Sequence, residues 1–206
     1  MFKIYFKNNR GFTLAEIIVV VGIFGLIMIA ISSFQRNVFV YNRYSQDAFS
    51  SAQDARNIIR VMVKDLRTAS QSNNGAYAIA QAATNTITFF SDTNSDGLKE
   101  QIRYYLNDTT LMKGTTKPSG SPPTYISTDE KLNTLAYNVN RATSTALFEY
   151  FDDTYAGTSS PLTNPVNVTD IHLVKINLMI NFNLGTSTRS RIYTSQVNLR
   201  NLKDNL

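Results

Sequence analysis

The 206-residue sequence has no cysteine, no tryptophan and a single histidine, His172. Without cysteine the chain can form neither a disulfide framework nor a thiolate metal site, and zinc could be held only by His172 with carboxylates. Charged residues make up 17% of the chain, below the roughly 25% of an ordinary soluble domain. These absences exclude disulfide-rich folds, coiled coils and charge-driven disorder, so the fold must be stabilised by packing alone.

Motifs of catalysis are also missing from the sequence. There is no G-x-S-x-G nucleophile motif, no phosphate-binding loop and no H-E-x-x-H zinc motif. His172 begins a predicted strand on the side of its apolar residues, which favours a partly buried structural histidine over a catalytic one. We therefore expect neither enzymatic activity nor a cofactor.

The basic charge is concentrated at the start of the chain. Lysine and arginine number 20 against 15 acidic residues, and three cations, Lys3, Lys7 and Arg10, precede the first apolar run. Without these three, 17 basic residues remain against 15 acidic ones, so the rest of the chain is close to neutral. Strand aromatics are expected in the core, and no basic run interleaves with them, so nucleic acid is not an expected partner. The tyrosines concerned are Tyr104, Tyr105, Tyr137, Tyr150 and Tyr155.

One long apolar segment follows the basic head. Residues 17–31 are apolar without interruption, and residues 12–34 would form about 35 Å of helix, enough to span a bilayer. The preceding cations place residues 1–11 in the cytoplasm and the rest of the chain beyond the membrane.

Glu16 is the unusual residue of this segment. A carboxylate in a spanning helix costs about 2.5–3.5 kcal/mol at the centre and less near the end, so Glu16 needs a partner. Neither a secretory signal peptide nor a permanent membrane anchor explains it, and residues 30–34 fit a signal-peptidase site poorly.

Residues 11–20, GFTLAEIIVV, resemble the prepilin signature of type IV pilins and type II secretion pseudopilins. The resemblance implies a leader, residues 1–11, that a prepilin peptidase removes between Gly11 and Phe12, followed by N-methylation of the Phe12 amine. It also implies that Glu16 serves methylation or assembly and faces the N-terminal amine of a neighbouring subunit. The carboxylate and the ammonium would then neutralise one another inside a filament.

Small and apolar residues continue a helical stripe beyond the membrane, at spacings of three and four. The stripe consists of Val38, Tyr41, Ser45, Ala48, Ala52, Ala55, Ile59, Met62, Leu66 and Ala69. It predicts one helix from Phe12 to about Ser70, whose part after Ala48 packs on the chain's own sheet. Subunit contacts are expected to use the membrane half.

The remaining chain predicts strands separated by turns and loops. The predicted strands are 86–90, 101–106, 111–113, 146–151, 174–184 and 192–199, with turns at 92–97, 107–108 and 185–187 and loops at 114–123 and 152–167. The fold class is therefore α+β, a long N-terminal helix packed on an antiparallel β-sheet head.

The turn after the first of these strands resembles half of a calcium loop. Asp92, Asn94, Asp96 and Glu100 could supply oxygen ligands, but Arg103 occupies the position of the bidentate glutamate. We favour a polar hairpin turn over a calcium site here.

The order of elements is similar to that of the larger minor pilins, the W-type of type IV pili and the J-type of type II secretion. Major type IVa pilins usually carry a proline where this chain has Ser32 and Ser33, and many end in a disulfide-closed loop that this chain cannot form. Three functions follow as alternatives: a minor pilin that initiates or caps a pilus, a minor pseudopilin of type II secretion, or a tip protein that binds surfaces or DNA.

The sequence thus predicts four segments: a leader (1–11), a membrane or filament-core helix (12–34), its amphipathic continuation (35–70) and an extracytoplasmic β-rich head (71–206). The resemblance implies three partners, namely other pilins or pseudopilins, a prepilin peptidase and an inner-membrane assembly platform. It places the chain in the cytoplasmic membrane as a single-pass protein, or outside the cell in a pilus.

Overall fold

A computed structural model describes residues 11–140, 145–184 and 187–199. These residues form one long helix, eight strands and two short 3-10 helices. The elements are α1 (Leu14–Arg67), β1 (Ile79–Ala83), β2 (Thr86–Ser91), β3 (Glu100–Asn107), β4 (Thr110–Thr116), the 3-10 turn Ser127–Asp129, β5 (Lys131–Ala136), β6 (Phe148–Phe151), the 3-10 turn Val168–Asp170, β7 (Leu173–Leu184) and β8 (Ser187–Asn198).

The chain divides into two compact units, of which the first ends at Gln46 and the second begins at Asp47. The described part of the first unit is the N-terminal stretch of α1 with the three residues before it. All its side chains except that of Tyr44 are exposed.

The second unit contains two antiparallel sheets. Strands β1 to β5 follow one another in a five-stranded meander, and β6, β7 and β8 form a three-stranded sheet. The alternation of apolar and polar residues along β7 places Val174, Ile176 and Leu178 in the core. The α+β prediction, a long helix followed by an antiparallel sheet head, is confirmed.

The C-terminal stretch of α1 and both sheets share one core. The helix contributes Ala55, Ile59, Met62 and Leu66, at the three-and-four spacing of a single helical face. The sheets contribute mainly Ile87, Phe89, Ile102, Tyr104, Phe148, Tyr150, Ile176 and Leu178. The prediction that the stripe beyond Ala48 packs on the chain's own sheet is thereby confirmed.

Residues 138–140 join the two sheets. The Asn140 N–H donates to the Met179 carbonyl at 2.7 Å, and the Asn181 N–H donates to the Asn138 carbonyl at 2.8 Å. The hydroxyl of Tyr150 also reaches across to the Ala83 carbonyl at 2.9 Å. These bonds satisfy polar backbone groups where one sheet gives way to the other.

The end of the helix and two of the strands differ from the prediction. The helix ends at Arg67, and Ala69 instead bridges to Ser91 of β2. Two strands, β1 and β5, were not predicted because β1 is mostly alanine and both form sheet edges, where apolar alternation is weak. The predicted turn at 185–187 falls partly outside the described residues.

The start of the loop predicted at 114–123 was wrong, because Gly114 lies within β4. Gly114 stands opposite Arg103 of β3, whose guanidinium binds the Glu130 carboxylate with two hydrogen bonds of 2.8 and 2.5 Å. A Cβ atom at Gly114 would overlap that carboxylate. The glycine therefore makes room for an ion pair and does not mark a loop.

Candidate functional site

The helix carrying the prepilin-like residues begins with a capping box. The Thr13 hydroxyl accepts a bond from the Glu16 N–H at 3.3 Å, while the Glu16 carboxylate accepts from the Thr13 N–H at 2.9 Å and from its hydroxyl at 3.0 Å. Each residue thus satisfies an amide that has no helical partner at the start of α1. The Thr-x-x-Glu spacing predicts this cap, a role that sequence reasoning missed by treating Glu16 only as a charge.

Gly11 and Phe12 precede the first helical residue, Leu14. The Phe12 side chain is 82% exposed. Glu16 is bound to Thr13 within its own chain, so its pairing with the amine of a neighbouring subunit stays a prediction.

The apolar segment has no covering surface among the described residues. Every side chain from 12 to 34 is exposed, and α1 is long and apolar enough here to cross a membrane. Ser32 and Ser33 donate to the carbonyls of Met28 and Ile29 at 2.8 and 3.1 Å, so neither hydroxyl lacks a partner. This stretch of α1 fits a single-pass membrane anchor.

Asp65 on the C-terminal stretch of α1 holds a buried polar contact with the larger sheet. Its carboxylate accepts from the Tyr104 hydroxyl and from the Lys113 ammonium, each at 2.6 Å, and the Asp65 residue is only 6% exposed. Burial, with the charge of Asp65 adding to it, strongly raises the pKa of Tyr104, so the phenol stays neutral and donates. This cluster connects α1 to β3 and β4. No sequence motif predicts it.

The calcium-like turn is closed by its own backbone. The Asp92 carboxylate accepts from the N–H groups of Asp96 and Gly97 at 3.2 and 3.0 Å. The Asp96 carboxylate accepts from the Leu98 N–H at 2.9 Å and from the Asn94 amide at 2.7 Å. These two bonds, with a smaller effect of the Lys117 charge, hold the pKa of Asp96 below its usual range.

The other oxygens of the calcium candidate are similarly engaged. Glu100 is buried and accepts from the Thr93 N–H at 3.1 Å. Lys99 lies 3.7 Å from the Asp92 carboxylate, and Lys117 lies 3.7 Å from that of Asp96. Within the described residues, no group of three or more histidine, aspartate or glutamate side chains is placed to hold a metal ion.

The remaining candidate residues occupy structural positions, with one exception. His172 is half-buried, its N–H donates to the Phe151 carbonyl, and its Nδ1 lies 3.3 Å from the Asp170 carbonyl. Tyr104 and Tyr150 are buried, as expected for strand aromatics. Tyr137 is 68% exposed because it lies just after the edge strand β5, so the expectation of a core position was wrong there.

A capped, exposed apolar helix followed by an antiparallel β-sheet head defines a class of single-pass membrane proteins with pilin-like architecture. Within that class, residues 6–32 match the family model described as the prokaryotic N-terminal methylation motif. The match supports the type IV prepilin-like family for this N-terminal segment, and the motif implies processing by prepilin peptidase and assembly with other pilins. No curated protein is similar to the chain. The motif and the α+β fold together indicate a structural subunit.

Proposed function

We propose that this protein is a minor pilin, a structural and assembly subunit that helps initiate or cap a type IV pilus. The observation that carries the proposal is the methylation motif on an apolar helix whose side chains are all exposed from residue 12 to residue 34. Glu16 caps the start of the helix, but a membrane anchor alone supplies no cation to pair with its charge. The lack of cysteine and of a proline near Ser32 favours a minor subunit over the main filament subunit.

The same features support the alternative, a minor pseudopilin of a type II secretion system. A tip protein that binds surfaces or DNA has less support, because exposed Tyr137 is not accompanied by a run of basic residues. In each case the cations at the start of the chain orient it in the inner membrane, with its head outside the cytoplasm and its helix available to an assembly platform.

Mass spectrometry of the N-terminal peptide tests the proposal. Sheared surface filaments and membranes are prepared from cells that make the native protein, and the peptide is identified in each fraction. A peptide that begins with methylated Phe12 in the sheared fraction is the expected result. The same peptide confined to membranes would favour the secretion pseudopilin, and an intact leader in both fractions, with the peptidase present, would contradict prepilin processing.

The role of Glu16 has its own test, with a control that the capping box provides. Glu16→Ala should leave the protein processed and in the membrane but reduce its incorporation into filaments several-fold, because the neighbour's amine loses its partner. Thr13→Ala removes the hydroxyl half of the capping box, at about 1 kcal/mol, but keeps the carboxylate and its bond from the residue 13 N–H. Equal losses for the two variants would mean that Glu16 serves only as a cap, and normal recruitment of Glu16→Ala would refute the pairing.

We further propose that the protein uses no cofactor and that residues 92–97 form a turn and not a calcium site. The bonds within the turn and the two nearby lysines support this. Calcium at about 5 mM exceeds the weakest dissociation constants of extracellular calcium modules, roughly 1 mM. It should leave the thermal unfolding midpoint of the full chain unchanged, and an increase that Asp92→Asn abolishes would contradict the proposal.

A further inference from the structure

The outer face of the five-stranded sheet carries a polar groove. Alternate residues of β2, β3 and β4 point away from the core that the sheet shares with α1. Thr88, Arg103 and Gly114 lie side by side on this outer face, and Gln101 stands opposite Thr116 in the next row. The groove that opens there has a volume of about 480 Å³, within the range of roughly 300–1,000 Å³ that small-molecule sites occupy.

A strap, residues 117–130, leads from β4 towards β5 and covers part of this face. The Tyr125 ring packs on that of Phe90, with 4.9 Å between the ring centroids. At the end of the strap, the Glu130 carboxylate accepts two hydrogen bonds from the Arg103 guanidinium. The strap is therefore fixed to the sheet at two points, and the groove is a formed part of the head.

Two buried threonines line the groove. Thr88 is 6% exposed and Thr116 is 3% exposed. The Thr116 hydroxyl has no hydrogen-bond partner among the described residues. The Thr88 hydroxyl has the side-chain oxygen of Gln81 at 3.5 Å, which is longer than an ordinary hydrogen bond between oxygens. A buried hydroxyl without a partner costs about 1–3 kcal/mol, so both hydroxyls need a polar group that enters the groove.

The charges that line the groove are already paired with each other. The Arg103 guanidinium and the Glu130 carboxylate form an ion pair. The other polar groups around the threonines are neutral, namely the amides of Gln81 and Gln101 and the hydroxyl of Ser127. An anion would have to compete with Glu130, and a cation with Arg103, whereas a neutral ligand leaves the ion pair intact. Amides and hydroxyls both donate and accept, which suits a ligand rich in hydroxyl groups.

We propose that this groove binds a small neutral saccharide, whose hydroxyl groups bond to Thr88, Thr116, Gln81 and Gln101. Sugar hydroxyls donate and accept in the same way as these side chains, so they can satisfy the two buried threonines. Saccharide binding adds to the proposed role in assembly. All the contacts lie within the second compact unit, so binding does not depend on prepilin processing or on the machine that the subunit serves.

Saturation-transfer nuclear magnetic resonance on the full chain tests the binding, in a zwitterionic detergent that has no sugar headgroup. The neutral probes are glucose, galactose, mannose, N-acetylglucosamine, maltose and lactose at millimolar concentration, and the charged probes are glucuronate and glucosamine. Saturation transfer to at least one neutral probe is the expected result. Stronger transfer to a charged probe than to every neutral one would overturn a neutral ligand. No transfer to any probe would mean that water alone satisfies the threonines, and it would overturn the proposal.

Substitutions then assign the binding to the groove. Thr116→Val removes the hydroxyl but keeps the shape of the side chain, and it should weaken binding of the best neutral probe about fivefold to tenfold. The matched control is Thr134→Val, on the same face of the sheet but outside the groove, which should leave the affinity unchanged. Circular dichroism and the thermal unfolding midpoint check that each variant is folded.

Gln101→Ala provides a second variant at a less buried position, in case Thr116→Val fails to fold. It should weaken binding about fivefold, because one hydrogen bond to the sugar is lost. Wild-type affinity in folded Thr116→Val or Gln101→Ala, or an equal loss in Thr134→Val, would place the saccharide elsewhere and overturn the proposal. Either result would leave the mass-spectrometric test of the pilin function unaffected.

Discussion

The two stretches of α1 place the same residue types in opposite surroundings. Met28 and Ile29, in the N-terminal stretch, are 51% and 66% exposed, whereas Met62 and Ile59, in the C-terminal stretch, are 0% and 8% exposed. The second stretch alternates apolar with polar residues and has two sheets to pack against. The first is apolar all round and has no sheet of its own, so its burial must come from a membrane or from other subunits. The pattern of apolar residues therefore distinguishes a helix stretch that packs on its own domain from one that needs a membrane or another subunit to cover it.

The largest change in the free energy of unfolding is expected from Asp65→Ala, in the C-terminal stretch of α1. The substitution leaves the Lys113 ammonium and the Tyr104 hydroxyl without their shared acceptor, which should lower the free energy of unfolding by about 3 kcal/mol. Denaturant unfolding of the full chain in detergent, followed by the near-ultraviolet circular dichroism of its tyrosines, measures the change.

Asp54→Ala provides the matched control, because Asp54 is an exposed aspartate of the same helix. Its effect on unfolding should stay within about 0.5 kcal/mol. Equal losses in the two variants would mean that the buried cluster does not fasten α1 to the sheet.

Two methionines of α1, one buried and one exposed, test whether apolar side chains stabilise the head only in the C-terminal stretch. Met62→Ala should destabilise the head by about 2–3 kcal/mol, because it empties part of a core that both sheets share. Met28→Ala should leave the unfolding of the head unchanged. A similar destabilisation by both substitutions would contradict the division of α1 into a self-packed and an unpacked stretch.

Alkaline titration gives a smaller effect that concerns the same cluster. The pKa of Tyr104 is raised in the folded chain, so its contribution to stability is complete below about pH 10 and is lost as the pH rises further. Tyr104→Phe should cost about 1 kcal/mol at pH 7, from the lost hydrogen bond, and should reduce the fall in stability between pH 10 and 11. Tyr137→Phe, at an exposed tyrosine, should do neither; a full alkaline loss in Tyr104→Phe would show that the phenol is not responsible.

The smallest effect is expected at the polar turn. The pKa of Asp96 is lowered in the folded chain, so its contribution is present above about pH 4 and is lost as the pH falls below that value. Asp96→Asn should therefore make the stability of the head slightly less sensitive to pH between 5 and 3. Hydrogen exchange of the Leu98 amide reports the change locally, and an identical pH dependence in the two proteins would argue against an ionised acceptor.

Long, regular patterns were the predictable part of this fold. The helical stripe from Ala52 to Leu66 and the alternation from Val174 to Ile180 each repeat often enough to fix both the element and its buried face. The alanine-rich strand β1 and the edge strand β5 carry no such repetition. They become strands because β2 and β4 offer them hydrogen-bonding partners.

Contacts between distant residues were beyond the reach of sequence patterns. Asp65 and Lys113 are 48 positions apart, and nothing near either residue indicates the other. From the sequence, each is predicted to be an ordinary surface charge, and only the folded sheet places the two in contact. The same holds for Gly114. Its sequence neighbours predict a loop, and only the structure shows that the Glu130 carboxylate, bound by Arg103, fills the space that a side chain would occupy there.

The candidate site was predicted in a different way, through a local motif. Glu16 is conspicuous because a charge in an apolar helix is costly, and its spacing from Gly11 and Phe12 carries the family resemblance. Its bonds to Thr13 were equally local and could have been predicted. The Thr-x-x-Glu spacing marks this cap independently of the charge of Glu16.

The capping box begins beyond the Gly11–Phe12 peptide bond, which lowers the barrier to cutting that bond. The bond between Gly11 and Phe12 precedes the first helical residue, so a peptidase can hold it extended without melting a helical turn. The Thr13 N–H belongs to the next peptide bond along the chain, so it remains an amide after such a cut and can still bind Glu16. Cleavage there would create a new amine on Phe12, four residues before Glu16, while the start of the helix stays as it was.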